Sequence, residues 1–404
     1  MLQKHQAKAL GKTGGIIILA VVMVVYPQEV LSAATQGVTA WARFVLPALL
    51  PFFILSELLM GSGFVHLLGV LLEPIMRPLF RLPGSAAFVV AMGFTSGPPI
   101  GAVLTAKLKR ENLVTATEAE RLLAFTNNAS PGFVLGAVAA GMFNNPGLGL
   151  VFAFASYLAN LLLGVGMRFY RSSEQCTPVN QMREASFLRR AFRAMVTAQR
   201  KDGRPLGQLI GDSIRNSINT ILIVGGFILF FSVLIRLLSI LGVLQVLTRF
   251  LSSALQPLHL SSSLYPAITN GLFEMTLGTR AASQAAAPFT QQVLLVSAIL
   301  AWSGISVHAQ VASFVAGTGI RLGPFLFGRM IQTCLSVVIT ALALPFMGSA
   351  PVFKQVGSVF TNWQMQLFAV TMALLATLCL LLALSLSLNI ITRLRSILTK
   401  VIRT

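Results

Sequence analysis

The side chains of this chain that could do chemistry gather at four interruptions of otherwise apolar sequence. They are Thr95-Ser96-Gly97-Pro98-Pro99, Thr126-Asn127-Asn128-Ala129-Ser130-Pro131-Gly132, the stretch from Thr269 to Gly278 with Glu274 and Thr276 at its centre, and Trp302-Ser303-Gly304-Ile305-Ser306, with His308 two residues further on. Proline lacks an N–H and clashes with the preceding turn, so a helix cannot run smoothly through the first two, while glycine and polar residues interrupt the other two. In hydrocarbon, a broken helix is tolerated only where its freed amides and carbonyls are buried in protein or line a polar cavity. The amino end of each half-helix offers free N–H groups and a partial positive charge, which suits a carboxylate or a phosphate, while Asn, Ser and Thr add neutral donors. A single break of this kind is ordinarily a packing or kinking device. Four at matching positions point to a binding site.

Ionisable residues inside the apolar segments are few, with Glu57, Glu274 and His308 the clearest. A charge at the bilayer centre costs about 2.5 to 3.5 kcal/mol on insertion scales, so such residues turn toward a polar interior. Glu274 sits at a break, where a desolvated carboxylate could hold a cation, carry a proton or touch substrate. His308 could relay a proton or simply donate in helix packing, and Glu57 could pair with a basic residue near the membrane edge. The expected site has Ser96, Gly97, Asn127, Asn128 and Ser130 on one wall and Glu274, Thr276, Ser303, Ser306 and His308 on the other.

Composition dictates the elements that must hold these residues. Of 404 residues, 55% are apolar and only 10% charged, with a mean hydropathy of +0.80; soluble domains carry about 25% charged residues. Apolar runs near 14–34, 40–60, 121–143, 147–167, 216–238, 290–316, 324–347 and 362–390 predict about eight spanning helices. The interrupted runs 84–106 and 262–288 predict re-entrant hairpins. Phe64 to Phe80 and Leu237 to Leu258 read as amphipathic surface helices. The basic amino end resembles the start of a signal peptide, but no clear cleavage site follows Tyr26, so a retained first helix is expected.

The formal charge of +19 comes from 30 Lys and Arg against 11 acids. The basic residues fall between apolar runs: Lys4, Lys8 and Lys12; Lys107, Lys109 and Arg110; the segment from Arg168 to Arg215; Arg321; and Arg393 to Arg403. Eight spans and two hairpins place all of them, and both termini, on the cytoplasmic side. The lipid bilayer, and no nucleic acid, is the partner this pattern implies.

The order of elements repeats at an offset of about 176 positions, which aligns Pro51 with Gly226, Ser96 with Phe273 and Asn127 with Ser303. The first unit's leading span should run in the opposite sense to the second's, giving an inverted repeat. The expected organisation is an N-terminal helix (1–40), repeat 1 (41–167), a basic cytoplasmic loop (168–215), repeat 2 (216–347), and a C-terminal helix with a basic tail (348–404).

Enzyme chemistry is not expected. The sequence has no HExxH, no phosphate loop and no Gly-x-Ser-x-Gly elbow, and His5, His66, His259 and His308 are scattered. Cys176, Cys334 and Cys379 lack metal-ligand spacing. No metal or cofactor is expected beyond a coupling proton or sodium ion.

Ser96-Gly97-Pro98-Pro99-Ile100-Gly101-Ala102, Glu118 to Asn128, and Ser303-Gly304-Ile305-Ser306-Val307-His308-Ala309-Gln310-Val311 resemble a group of sporulation integral membrane proteins within the nucleoside-recognition, or gate-domain, membrane family. Pro98 departs from the aromatic residue expected after Ser-Gly in that pattern, and Ala129-Ser130 departs from its usual small pair. The resemblance implies an all-α fold similar to concentrative nucleoside transporters. It further implies movement of dipicolinic acid, a small aromatic dianion, across the outer forespore membrane. A nucleoside carrier and a non-transporting assembly protein are the alternatives.

Overall fold

The computed structural model describes residues 2–174, 177 and 187–347, and among these every regular element is helical. The expected C-terminal helix and tail (348–404) and part of the basic segment lie outside the described residues.

Leu2–Val25 (α1) stops at Tyr26, whose φ of −120° and ψ of 58° leave the helical region just before Pro27. A proline ring pushes the preceding residue out of that region, and the chain bends by 100° there. The expected single span at 14–34 is therefore corrected to two helices. From Pro27, α2 (Pro27–Ala40) runs through a π-helical turn (Trp41–Val45) into α3 (Leu46–Gly61) with no non-helical residue between them.

These pieces of 14, 5 and 16 residues form one continuous helix of 35. A second helix, α10 (Leu206–Ile240), also has 35 residues. The offset is the same at both ends, 206 − 27 and 240 − 61 each being 179. The two lie antiparallel and in contact: Arg236 pairs with Glu29 at 2.7 Å, Trp41 Nε1 donates to the Ile221 carbonyl at 3.1 Å, and Asn216 Nδ2 donates to Glu57 at 3.3 Å. At about 1.5 Å per residue each reaches about 52 Å, well beyond a hydrocarbon core of about 30 Å.

Both long helices end in the same device. Gly63 (φ 77°) and Gly242 (φ 74°) take the left-handed conformation that glycine adopts without steric cost. They start α4 (Phe64–Phe80) and α11 (Val243–Ala254). The chain bends by 81° between α3 and α4. Val65, Leu68, Leu72, Met76 and Phe80 form the buried stripe of α4, the three-and-four spacing of an amphipathic helix.

The remaining elements follow one order in each half. In the first, the hairpin α5 (Ala86–Ser96) and α6 (Ile100–Arg110) precedes α7 (Ala116–Phe125), a break, a π-helix (Gly132–Met142) and α8 (Gly147–Met167). In the second, the hairpin α12 (Tyr265–Phe273) and α13 (Met275–Gln284) precedes α14 (Phe289–Trp302), a break, α15 (Gly304–Val315) and α16 (Gly323–Ala343). The basic segment between the halves contains a further helix, α9 (Phe187–Asp202). Gly147–Met167, Leu206–Ile240, Phe289–Val315 and Gly323–Ala343 are each long and apolar enough to cross a membrane. The halves interlock crosswise: α6 packs on α15, and α13 packs on the π-helix. The core centres on α7, where Leu122, Leu123, Ala124 and Phe125 are fully buried and Phe125 stacks on Phe80 of α4 at 5.2 Å.

Candidate functional site

In the first half, the broken span is threaded tightly through the hairpin. A Cβ on Gly93 or Gly101 would stand 2.2 or 2.4 Å from the Thr126 carbonyl oxygen, so only glycine admits this approach from either arm. At the hairpin's break Gly97 has φ 88°, and a Cβ there would lie 3.0 Å from Ser130 Cβ. Pro98–Pro99 is a cis peptide bond. Asn127 spends its amide on structure: Oδ1 accepts from the Ala102 amide in the first turn of α6 at 3.1 Å, and Nδ2 donates to the Leu123 carbonyl at 3.1 Å. It is an amino-terminal cap supplied from the break of another span. Ser130 Oγ accepts from the Phe133 amide at 3.3 Å and opens the π-helix. Ser96 is buried at the end of α5.

Asn128 differs from its neighbour. It is 1% exposed, and neither Nδ2 nor Oδ1 has a partner among the described residues. A buried amide with both ends unbonded costs about 1–3 kcal/mol per lost partner, which makes it a natural ligand contact.

The second half repeats the arrangement with the glycine on the other partner. Ser303 (φ 68°) and Gly304 (φ 83°) form the span's break, and a Cβ on Gly304 would stand 2.8 Å from the Phe273 carbonyl oxygen and 3.0 Å from Glu274 Cα. Trp302 Nε1 donates to the Leu272 carbonyl at 3.2 Å and pins the two breaks together. Glu274 is the extended residue between α12 and α13, and its carboxylate accepts from the Leu277 amide at 2.8 Å. The amino end of α13, expected to be free for an anion, is capped by the chain's own carboxylate. Thr276 is exposed in the same first turn. His308 Nε2 lies 2.9 Å from the Trp302 carbonyl at the carboxyl end of α14, with its ring edge-on to Trp302 and Phe325. Ser303 Oγ donates to the Leu300 carbonyl at 3.2 Å, and Ser306 is buried in the first turn of α15.

One residue that the sequence patterns did not single out joins the two halves. Arg329 of α16 is fully buried. Its Nη1 donates to the Asn127 carbonyl at 2.7 Å and the Ala301 carbonyl at 3.4 Å. Its Nη2 donates to the Ala124 carbonyl at 2.9 Å and Asn160 Oδ1 at 3.1 Å. The guanidinium thus closes the carboxyl ends of α7 and α14, where the helix dipoles place negative partial charge. Among the described residues it has no acidic partner. Its signal was present in the sequence as a lone arginine in an apolar run.

Other charges act at the periphery. Lys107 meets both oxygens of Glu57 at 2.9 and 3.0 Å, the basic partner expected for that acid. Glu120 of α7 accepts from Arg321 at 2.7 and 2.9 Å and from the Tyr170 hydroxyl at 3.1 Å, which ties the first broken span to the loop before α16.

The family model described as "Nucleoside recognition" (Gate) matches residues 42–160 and 221–321. The sporulation integral membrane protein YlbJ of Bacillus subtilis (strain 168) is 44% identical over 327 residues, which is 81% of this chain and 80% of YlbJ. An uncharacterised protein of Alkalihalophilus pseudofirmus is 28% identical over 126 residues, 30% of this chain and 27% of its own. Among solved structures, CNTnw in an inward-facing substrate-bound state aligns with a TM-score of 0.40 at 13% identity, covering 81% of this chain and 87% of that one. A variant of CNTnw in an outward-facing state gives 0.39 at 14% identity, covering 85% and 87%. The family match spans both hairpins and both broken spans, and with the likeness to YlbJ along most of its length the chain belongs to the nucleoside-recognition, or Gate, family of membrane proteins.

Proposed function

We propose that this protein is a transporter of a small organic anion, working by alternating access between the two hairpins, and that the anion is dipicolinate crossing the outer forespore membrane during sporulation. The observation that carries the reading is the buried Arg329, bonded to the Asn127, Ala124 and Ala301 carbonyls with no acid beside it among the described residues. Each break brings together the negative end of one half-helix and the positive end of the next, which nearly cancel. Arg329 offsets the two negative ends and leaves the amino ends of the π-helix and α15 as a net positive centre. An isolated buried charge is very costly, so an anion is the ligand whose charge this centre favours. Asn128, whose amide has no partner among the described residues, supplies the neutral contact at the same crossing.

Glu274 is the opposing charge, set where the Gly304 break touches the second hairpin. Ionised, it cancels the centre; protonated, it does not. Anion binding is therefore coupled to proton uptake at Glu274, and the coupling ion in this reading is a proton. The sporulation role rests on the name of the B. subtilis relative, and the dianion on the resemblance of the break motifs. Ser96, Gly97, Ser130, Thr276, Ser303 and Ser306 line the path, while Asn127 and His308 hold the half-helices in place. The protein is read as a non-enzymatic carrier with both termini in the mother-cell cytoplasm.

The test is uptake of labelled dipicolinate into vesicles holding the purified protein. Accumulation above empty vesicles, driven by an inward proton gradient, is expected; uptake equal to that of empty vesicles under both proton and sodium gradients overturns the substrate. The family description favours a second reading, a nucleoside carrier. Competition by nucleosides without competition by dipicolinate would establish it instead.

A further inference from the structure

The helix α9 lies in the basic segment between the two halves and takes no part in the site above. Its inner face is small: Ala191 is buried, and the Met195 carbonyl and Ala198 Cβ would stand 2.5 and 3.3 Å from a Cβ on Gly63. That glycine is where the chain turns by 81° from α3 into α4, so α9 is seated at the end of the continuous helix from Pro27 to Gly61, whose length exceeds the hydrocarbon core. Its outer face carries two adjoining bands. Leu188, Phe192 and Val196, four residues apart, are 48%, 55% and 38% exposed. Arg189 and Arg200 are exposed beside them, and Lys201 is exposed in the last turn. The only acid of α9, Asp202, is engaged by Arg204 at 2.7 Å. After residues 203–205 the chain enters the membrane-crossing helix α10, whose Leu206 and Ile210 are 71% and 40% exposed.

We propose that this outer face of α9 binds the anionic phospholipid headgroups of the adjoining leaflet, with Leu188, Phe192 and Val196 entering the acyl boundary and Arg189, Arg200 and Lys201 engaging the phosphates. An apolar stripe flanked by basic residues, fixed at the membrane edge, is the pattern of an interfacial helix. Charge complementarity selects the occupant. A negative leaflet attracts each basic residue near its surface by an amount equivalent to roughly a fivefold preference, and an apolar stripe alone would not distinguish anionic from zwitterionic lipid.

The experiment uses the full chain with Cys176, Cys334 and Cys379 replaced by Ser and Phe192→Cys carrying an environment-sensitive fluorophore. The protein is placed in nanodiscs of phosphatidylcholine alone or mixed with phosphatidylglycerol. A blue-shifted emission quenched by lipid-borne quenchers, stronger on phosphatidylglycerol and weakened by salt, is expected. Replacing Arg189, Arg200 and Lys201 together by Gln should abolish the phosphatidylglycerol preference, whereas Arg189→Lys, Arg200→Lys keeps it and controls for folding. Three results overturn the proposal: water-like emission in both lipids, equal quenching in both at all salt concentrations, or shielding that appears only when a soluble protein is added.

Discussion

Arg329 donates to the main-chain carbonyl of Asn127 at 2.7 Å, and through that one bond a residue of the second half fixes the break of the first. The same guanidinium reaches the Ala301 carbonyl at 3.4 Å, so neither broken span can shift without altering its bonds to a common partner. The side chains of the two neighbouring asparagines then diverge: Asn127 turns its amide to α6, and the Asn128 amide has no partner among the described residues.

That divergence separates structure from binding. Asn127→Ala removes the cap of α6 and should destabilise the protein by about 1 kcal/mol. Asn128→Ala removes a buried amide without breaking any bond, so the melting temperature should hold or rise while dipicolinate uptake falls at least tenfold. Thermal unfolding in detergent and vesicle uptake, measured on both variants, check the pair. Equal effects of the two variants on both readouts would remove Asn128 from the site.

The first half's breaks were legible in the sequence because Pro98, Pro99 and Pro131 cannot continue a helix, and the second half's because polar and glycine residues interrupt its apolar runs at a nearly fixed offset from them. The partners were not. Asn127 and Arg329 are separated by 202 residues, and nothing local to either announces the other. Glu274 read as a free carboxylate because a cap is visible only when the next turn's amides are placed around it. Reading apolar length across Tyr26-Pro27 joined two helices into one span, and it also divided the continuous helix from Pro27 to Gly61, because its polar positions around Gln36 and Thr39 looked like a boundary.

The crossing of span and hairpin in the second half depends on Gly304. Gly304→Ala meets a φ of 83° and the Phe273 carbonyl together, and should cost about 1–3 kcal/mol. It should also reduce uptake, since the added methyl wedges the two breaks apart. A Cβ on Gly132 would have nothing within 4 Å, so Gly132→Ala should leave both stability and uptake within about 0.5 kcal/mol of the parent. Thermal melts of the two variants side by side give the comparison.

Glu274→Gln keeps an oxygen to accept from the Leu277 amide, so α13 should still form. The variant cannot exchange a proton at this position. Uptake should therefore lose its dependence on an imposed proton gradient and on external pH, with a lower maximal rate. Unchanged pH dependence in the variant would show that the proton is carried elsewhere.

Asp202 gives a stability prediction outside the membrane. Its hydrogen bonds from the Arg204 side chain hold the carboxyl below its ordinary value of 3.8. A group depressed in the folded state contributes stability above its unfolded value, and that contribution is lost as pH falls through the lower folded value. Asp202→Asn should thus melt slightly earlier than the parent at pH 7 and together with it in strong acid. Because the pair is partly exposed, added salt should narrow the difference at pH 7.

Arg329 offers the sharpest test, because its charge and its geometry can be separated. Arg329→Met leaves the Asn127, Ala124 and Ala301 carbonyls without their donor in a dry interior, and bonds to a charged group are worth about 1.5–3 kcal/mol each. A loss of about 3 kcal/mol or more is expected on that scale, with uptake abolished. Arg329→Lys keeps the charge but not the planar fork that serves both halves at once. It should lose part of the stability and still bind the anion, more weakly. If charge at this position selects the ligand, dipicolinate binding must follow the order arginine, lysine, methionine when measured on protein that remains folded. A lysine variant as inert toward the anion as the methionine variant, yet well folded, would leave Arg329 as a clamp between two broken helices and return the choice of substrate to Asn128 and its neutral neighbours.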